Sequence, residues 1–567
     1  MTTQLITLAA LAYMLAVPGQ AQQASTTPST QMQQQPCSTA STPGKPATKT
    51  PGALTGPNSK VGKIFGKYSP VDPGSIFNSK PKPAAPCPPA APITQVAPAT
   101  HLPAGVMTTW LCNPIVTSTD ATHKSSTVGK QFFCAFARAG CGGLCHAVKS
   151  TDAETFIAWA RESGRGQDVI VFNEASGLRF DPLAYEWTRS GSRGGGDVES
   201  IISYFSTLLT LSHPQSGGSG ERFWELAAEQ AMRHAIKLIQ LAGEPLSIVN
   251  VHRAISSFPD HLGQQDEQGW ETNSYTATLI NGIRARKDSL TETQWQDLET
   301  ASEFVFYRWA DLDPRPRSSI SMTVAGMADK FLFHPLRHIF ASGAYDFTPE
   351  QITHERKIVI IDYPVLEYGK ETARLINVMI QLTCQRAWLR HQYKPSCCNG
   401  AFLYMDEFQL LMHRFQNHFV QVSRSSGVCV IALTQTLLNL AEELGESHLG
   451  AKTKAFLANL GIKIALRSTC PDTCNYYSDV IGKTYKYMDN YSAGASGDSG
   501  QGHTNFGGSR QLVYQVEPYE FSSLSRPDGQ NPFAEAIVFC GGDHFNATRT
   551  EKSPQGRNHL RVHFSRD

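Results

Sequence analysis

Nowhere in the 567 residues does an apolar run reach the 18 residues that a membrane-crossing helix needs, which excludes a polytopic membrane protein. Cysteine is scarce: thirteen in so long a chain fall far below the density of a small disulfide scaffold, and an odd number cannot all pair internally. That usage fits a reduced, intracellular setting for the bulk of the chain. Charge of one sign is missing too. Fifty Lys and Arg against 49 Asp and Glu leave a formal charge of +1, so composition supplies no bulk attraction to nucleic acid or membrane, and any basic surface must be local. No repeat of fixed period occurs, which removes solenoids and propellers. The length is a prior for two to four domains.

The first hundred residues divide in two. Leu5 to Val17 is a short apolar run that lacks a basic stretch before it and is too short to span about 30 Å of hydrocarbon. It reads as a signal-like segment over 1–21, a marginal anchor, or an incidental run at a mis-assigned start. From 22 to 105 the chain is rich in Pro, Ser, Thr, Ala and Gln without helical or strand period, so it cannot bury enough apolar surface to offset its ordering entropy. A disordered linker is expected there.

From residue 106 the texture changes. Six short apolar runs, Leu144 to Val148, Val169 to Asn173, Ile358 to Asp362, Phe402 to Asp406, Val428 to Leu433 and Ile462 to Leu466, alternate with amphipathic segments. That is the pattern of an α/β domain with a mostly parallel sheet buried on both faces. Thr151 and Glu154 have capping-box spacing, and Gly164 stands where a helix-ending residue belongs. Between 220 and 345 strand texture gives way to helical periodicity, led by the stripe Phe223, Ala227, Ala231, Ala235, Leu238 and Ala242. This block is an inserted all-α domain or a further helical layer on the sheet. Six glycines between Tyr491 and Ser509 predict a flexible surface loop, and Gln511 to Val516, Ala536 to Cys540 and His559 to Phe564 are edge-strand candidates.

The segment Ala401 to Gln409 (AFLYMDEFQ) carries the strongest chemistry. A strand ending in two acids places carboxylates at the sheet edge where open α/β folds bind ligands. In nucleotide-hydrolysing folds the first acid, here Asp406, serves Mg²⁺ and the second, Glu407, polarises the attacking water. The competing interpretation is a pair of acids that caps the next helix. Gln435, at the tip of a neighbouring strand, suits a γ-phosphate sensor or an ordinary turn residue. Arg467, at another strand end, suits a charge-stabilising guanidinium or a surface partner for Asp472. A phosphate cradle of the form GxxxxGK[ST] is absent. The nearest match is Gly129-Lys130, in which Lys124 stands at the first glycine position and Gln131 replaces the hydroxyl residue, so Lys130 is either a phosphate ligand or an exposed loop lysine. The cysteine spacings do not assemble four convergent zinc ligands, and ordinary thiols are the better interpretation.

In their order, several blocks resemble the TraG/TraD-type coupling ATPases of conjugation and type IV secretion, including the branch with a TraM-recognition part. They are Ala139 to Lys149, Asp168 to Asn173 with Phe180 to Tyr185, Lys357 to Pro364, Phe402 to Gln409, Arg424 to Gln435, and Asn459 to Arg467. The resemblance runs from about residue 129 to the C terminus. It implies a RecA-like nucleotide-binding fold split into 106–219 and 346–567 around the all-α domain of 220–345. It also implies ATP and Mg²⁺ as ligands, a homo-hexameric ring, DNA and a relaxosome or secretion components as partners, and a place on the cytoplasmic face of the inner membrane. By the same resemblance Asp406 is the metal-associated acid, Glu407 the catalytic glutamate and Gln435 the strand-tip sensor; Arg467 as a catalytic candidate, and Gly129 with Lys130 as the cofactor-binding candidates, rest on their positions alone, because the family's complete phosphate loop is missing here. The incomplete cradle leaves a hydrolysis-deficient docking protein of the same family, or a HerA-like DNA-processing ATPase, as alternatives.

Overall fold

The computed structural model describes residues 113–565, apart from 120–123, 190–195, 213–218, 268, 391–399, 496–501, 529–530, 542–543, 546–547 and 550–554. The segments expected over 1–21 and 22–105 lie outside the described residues. Seven parallel strands form the centre: β1 (Pro114–Thr117), β2 (Gly142–Ala147), β3 (Val169–Phe172), β4 (Ile358–Asp362), β5 (Ala401–Met405), β6 (Val428–Thr434) and β7 (Ile462–Ala465). A long two-stranded ribbon, β8 (Lys483–Ala495) with β9 (Gly502–Tyr514), follows them, and β10 (Phe533–Cys540) and β11 (His559–Ser565) close one edge of the sheet. The nine-stranded order is β11-β10-β7-β1-β6-β5-β2-β4-β3, with β10 antiparallel to both neighbours. This mostly parallel sheet with its helices is a RecA-like fold.

All six apolar runs are strands, because Val, Ile and Leu fill both faces of the sheet. Alternation within one strand separates two cores. Phe402 and Tyr404 of β5 face a cluster with Phe133, Phe156 and Trp159, whereas Leu403 and Met405 face the larger cluster that continues into the helical block. The first cluster is supplied by α1 (Lys130–Arg138) and α2 (Asp152–Glu162). At the start of α2 the expected capping box does not form. Asp152 instead accepts hydrogen bonds from the N–H groups of Val148 and Lys149, so the first-turn acid caps the preceding loop rather than its own helix. Gly164 ends the helix at φ +75°.

No strand occurs among the described residues between β3 and β4. Here α3 (Val198–Ser212), α4 (Ser219–Ala242) and α5 (Pro314–Ala328) pack with shorter helices, and their interior is continuous with the core under the sheet. Ala231, Ala235 and Leu238 of the expected stripe are fully buried, but Phe223 at its head is exposed. Behind the sheet lie α6 (Lys370–Arg390) and α7 (Arg414–Val422), and α8 (Pro471–Ile481) leads into the ribbon. The ribbon corrects the expected loop. Gly507 and Gly508 are paired ladder positions opposite Asn490 and Asp489, and glycine richness alone did not distinguish a ladder from a loop.

Gly129, offered above as a phosphate ligand, is buried where the chain enters α1. A Cβ there would strike the Tyr404 hydroxyl and the Leu433 side chain. Its absent side chain lets the helix lie on the sheet. Gly129→Ala is therefore expected to lower stability by about 1–3 kcal/mol through overpacking. Because the Tyr404 hydroxyl is buried without a hydrogen-bond partner, adding Tyr404→Phe should recover most of the loss in chemical denaturation. Equal destabilisation of the single and double variants would refute this packing role.

Candidate active site

The site lies beyond the carboxyl ends of β1, β6 and β5, and adjacent strands bring its parts together. In register, Ile115 of β1 pairs with Ala432 of β6, and Ala432 pairs with Met405 of β5. The residues that follow these strands therefore meet on one edge. After β5 come Asp406 and Glu407, after β6 comes Gln435, and after β1 the chain runs to Lys124 and Ser125. Asn113 holds β1 in place from its other end: its side chain donates to the Val420 carbonyl and the Ser423 hydroxyl and accepts from the Val430 N–H.

Lys124 is completely buried between the two acids, with Nζ 3.0 Å from Asp406 Oδ1 and 2.7 Å from Glu407 Oε1. Burial pulls its pKa down, yet the two carboxylates outweigh burial and hold it above the usual lysine value. The Ser125 hydroxyl donates to Asp406 Oδ2 at 2.5 Å, and the half-exposed Lys149 ammonium lies 3.5 Å from the same oxygen. Burial pushes the Asp406 carboxyl up, but Lys124, Lys149 and the Ser125 hydroxyl together keep it below the ordinary carboxylate range.

Glu407 sits on a left-handed backbone, φ +50° and ψ +49°, a conformation that costs a non-glycine residue energy and persists only where surroundings enforce it. Its carboxylate is held from two sides. Oε1 takes Lys124 and, at 3.4 Å, the Gln435 amide; Oε2 takes the Gln409 amide at 2.8 Å. Gln409 is fixed in turn by the Thr434 hydroxyl at 2.9 Å.

The structure thus brings Asp406, Glu407 and Gln435 together and adds Lys124 to them. Lys130 pairs with Glu162 of α2 at 3.2 Å, while Lys124 occupies the acid cluster. Arg467 follows β7 at the same edge and is half-buried. Its carbonyl accepts from the Thr119 N–H at 3.2 Å and the Ser118 hydroxyl at 3.4 Å, which ties the chain leaving β1 to the neighbouring strand. Sequence reasoning missed Lys124, Ser125, Lys149 and Gln409. A usable signal existed: Ser118-x4-His123-Lys124-Ser125 keeps the spacing of GxxxxGK[ST] with its lysine and hydroxyl, and only the glycines are replaced.

The donor set suits a nucleotide with a divalent cation. A carboxylate and a hydroxyl in mutual contact are hard oxygen ligands, and an ammonium beside them is of the kind that pairs with phosphate.

Residues 401–524 match the family model described as the TraM recognition site of TraD and TraG. Over this segment the chain is TraD/TraG-like. The matched region contains Asp406, Glu407, Gln435 and Arg467, together with the β8–β9 ribbon. Solved structures of conjugative coupling proteins share the fold. The bacterial conjugative coupling protein TrwB, in an unbound monoclinic form, aligns at 14% identity and TM-score 0.51 over 84% of this chain and 90% of its own. The plasmid coupling protein TrwB in complex with ADP and Mg²⁺ aligns at 13% identity and TM-score 0.50, again over 84% and 90%. A search of curated protein sequences gives no significant match.

Behind the acids runs a buried polar seam. His146 of β2 contacts Asn377 of α6 at 2.8 Å, and His413, just past the acid turn, contacts Gln381 at 3.1 Å. Burial depresses His146 to about 4, against the Asn377 hydrogen bond, and His413 to about 3, with Arg374 and His146 adding to the effect. Both rings are neutral in the fold and take up protons only on unfolding. Their stabilising contribution is complete above about pH 6.5 and falls as pH drops toward 4, by roughly 2–3 kcal/mol per histidine. Urea melts from pH 7 to 4.5 should show this decline, and His146→Asn should flatten it; a wild-type slope in that variant would refute the assignment.

Proposed function

We propose that the chain is an ATP-dependent coupling protein that moves DNA toward a type IV secretion channel. The observation that carries this reading is the convergence of Lys124, Ser125, Asp406, Glu407 and Gln435 on one sheet edge of a TrwB-like fold, the last three of them within the TraD/TraG-like region. Lys124 would neutralise the β- and γ-phosphates of ATP, and Ser125 with Asp406 would hold Mg²⁺, which when bound supplies charge neutralisation on the transferring phosphoryl group. Glu407 orients the attacking water and accepts its proton, and Gln435 contacts the water or the γ-phosphate. Arg467 lies at the same edge and is assigned to transition-state charge within the subunit or across a ring contact.

DNA, a relaxosome and a homo-hexameric ring complete the proposal, with the nucleotide site on the cytoplasmic face of the inner membrane. Among the described residues no helix is long and apolar enough to cross a membrane. ATP hydrolysis with and without single-stranded DNA tests the motor reading. Stimulated turnover that Asp406→Asn eliminates supports it, and nucleotide-independent DNA binding without turnover would replace it with a docking role.

A further inference from the structure

We propose that the β8–β9 ribbon is a stacking arm for single-stranded nucleic acid, separate from the nucleotide site. It takes the kind of polymer from the functional reading above and adds a contact surface which that reading does not use. Cross-strand partners share a face of a two-stranded sheet, and here Lys483 opposes Tyr514, Tyr485 opposes Leu512, and Tyr487 opposes Arg510. Phe506, four residues before Arg510 on β9, projects from the same face.

The rings on this face are unusually open for their size: Tyr485 is 57%, Tyr487 77% and Phe506 83% exposed. Cations lie directly on the rings. Arg510 sits 4.2 Å from the Tyr485 ring centre, and Lys483 sits 4.4 Å from that of Tyr514. One acid, Asp489, shares the face nearer the tip, and Lys486 stands on the opposite face.

Rings with interleaved cations offer a base its π-face and the adjoining phosphate a counter-charge. Spacing favours the same ligand. Tyr485 and Tyr487 are two residues apart on one strand, about 6.8 Å, which is twice the roughly 3.4 Å rise of a stacked strand, so one base can enter between them. A bound protein strand would pair with a ribbon edge through main-chain groups and leave this face of rings uncovered.

The test is fluorescence anisotropy of a labelled oligothymidylate of about 30 nucleotides, longer than a 4–16-nucleotide site, titrated with the full chain without nucleotide. The variant Tyr485→Ala/Tyr487→Ala/Phe506→Ala should weaken binding at least about thirtyfold, while Tyr485→Phe/Tyr487→Phe keeps the rings and should stay within about twofold of wild type. Wild-type affinity in the triple alanine variant overturns the arm. So does a loss of oligomer mass in that variant with oligonucleotide affinity unchanged, which would make the ribbon a subunit contact. Hydrolysis measured in parallel separates the two ideas: failure of wild type to turn over ATP removes the motor and leaves the binding readout intact.

Discussion

Glu407→Gln is expected to reduce ATP turnover by about 10²–10⁴-fold with little change in nucleotide affinity. Glutamine preserves the size of the side chain and keeps one oxygen that accepts from Gln409 on one side or from Lys124 and Gln435 on the other, but it cannot take a proton from water, and loss of a positioned base costs about that much. The left-handed backbone at Glu407 sets where the side chain starts whatever its charge, and Asp406 remains 3.0 Å from Lys124 as its partner. Steady-state kinetics should therefore show kcat falling and KM nearly constant. A variant that retains turnover within a few-fold of wild type would remove Glu407 from the chemistry.

The second large effect concerns stability. Lys124→Ala leaves Asp406 and Glu407 buried side by side, with the half-exposed Lys149 the remaining cation paired with them among the described residues. Breaking one side of a buried pair costs about 3–5 kcal/mol, because the remaining charges lose their compensation. The sign of the pH dependence follows. Lys124 is the main group holding the Asp406 pKa down, so without it Asp406 binds a proton more readily, and the penalty is greatest at neutral pH and shrinks as pH falls toward 5. Lys130→Ala removes a partly solvated pair with Glu162 and should cost no more than about 1 kcal/mol. Denaturant melts of both variants at pH 7 and 5 check the contrast, and equal losses would contradict it.

The fold was legible where buried strands wrote themselves as continuous apolar runs. β2 to β7 each carried such a run, and the two acids after β5 and the glutamine after β6 inherited their positions from those strands. β1 did not write itself so plainly. It has four residues and begins with proline, so it offers too little pattern to point to the segment that carries Lys124, and the Gly129-Lys130 pair is the more visible feature of the sequence. Lys124 is burial-driven: it is paired by residues 282 and 283 positions away, and no local spacing reports such a contact. The ribbon was hidden for a different reason. Strand pairing needs only a partner in register, and β8 finds that partner in a glycine-rich segment whose composition resembles a loop.

Lys124 is the phosphate-facing lysine of the proposed site. Binding of a fluorescent ATP analogue in the presence of Mg²⁺, compared across wild type, Lys124→Ala and Lys130→Ala, addresses this directly. Saturable binding by wild type and Lys130→Ala, and its loss in Lys124→Ala at a temperature where that variant is folded, is the expected result. Loss in Lys130→Ala with retention in Lys124→Ala would contradict it.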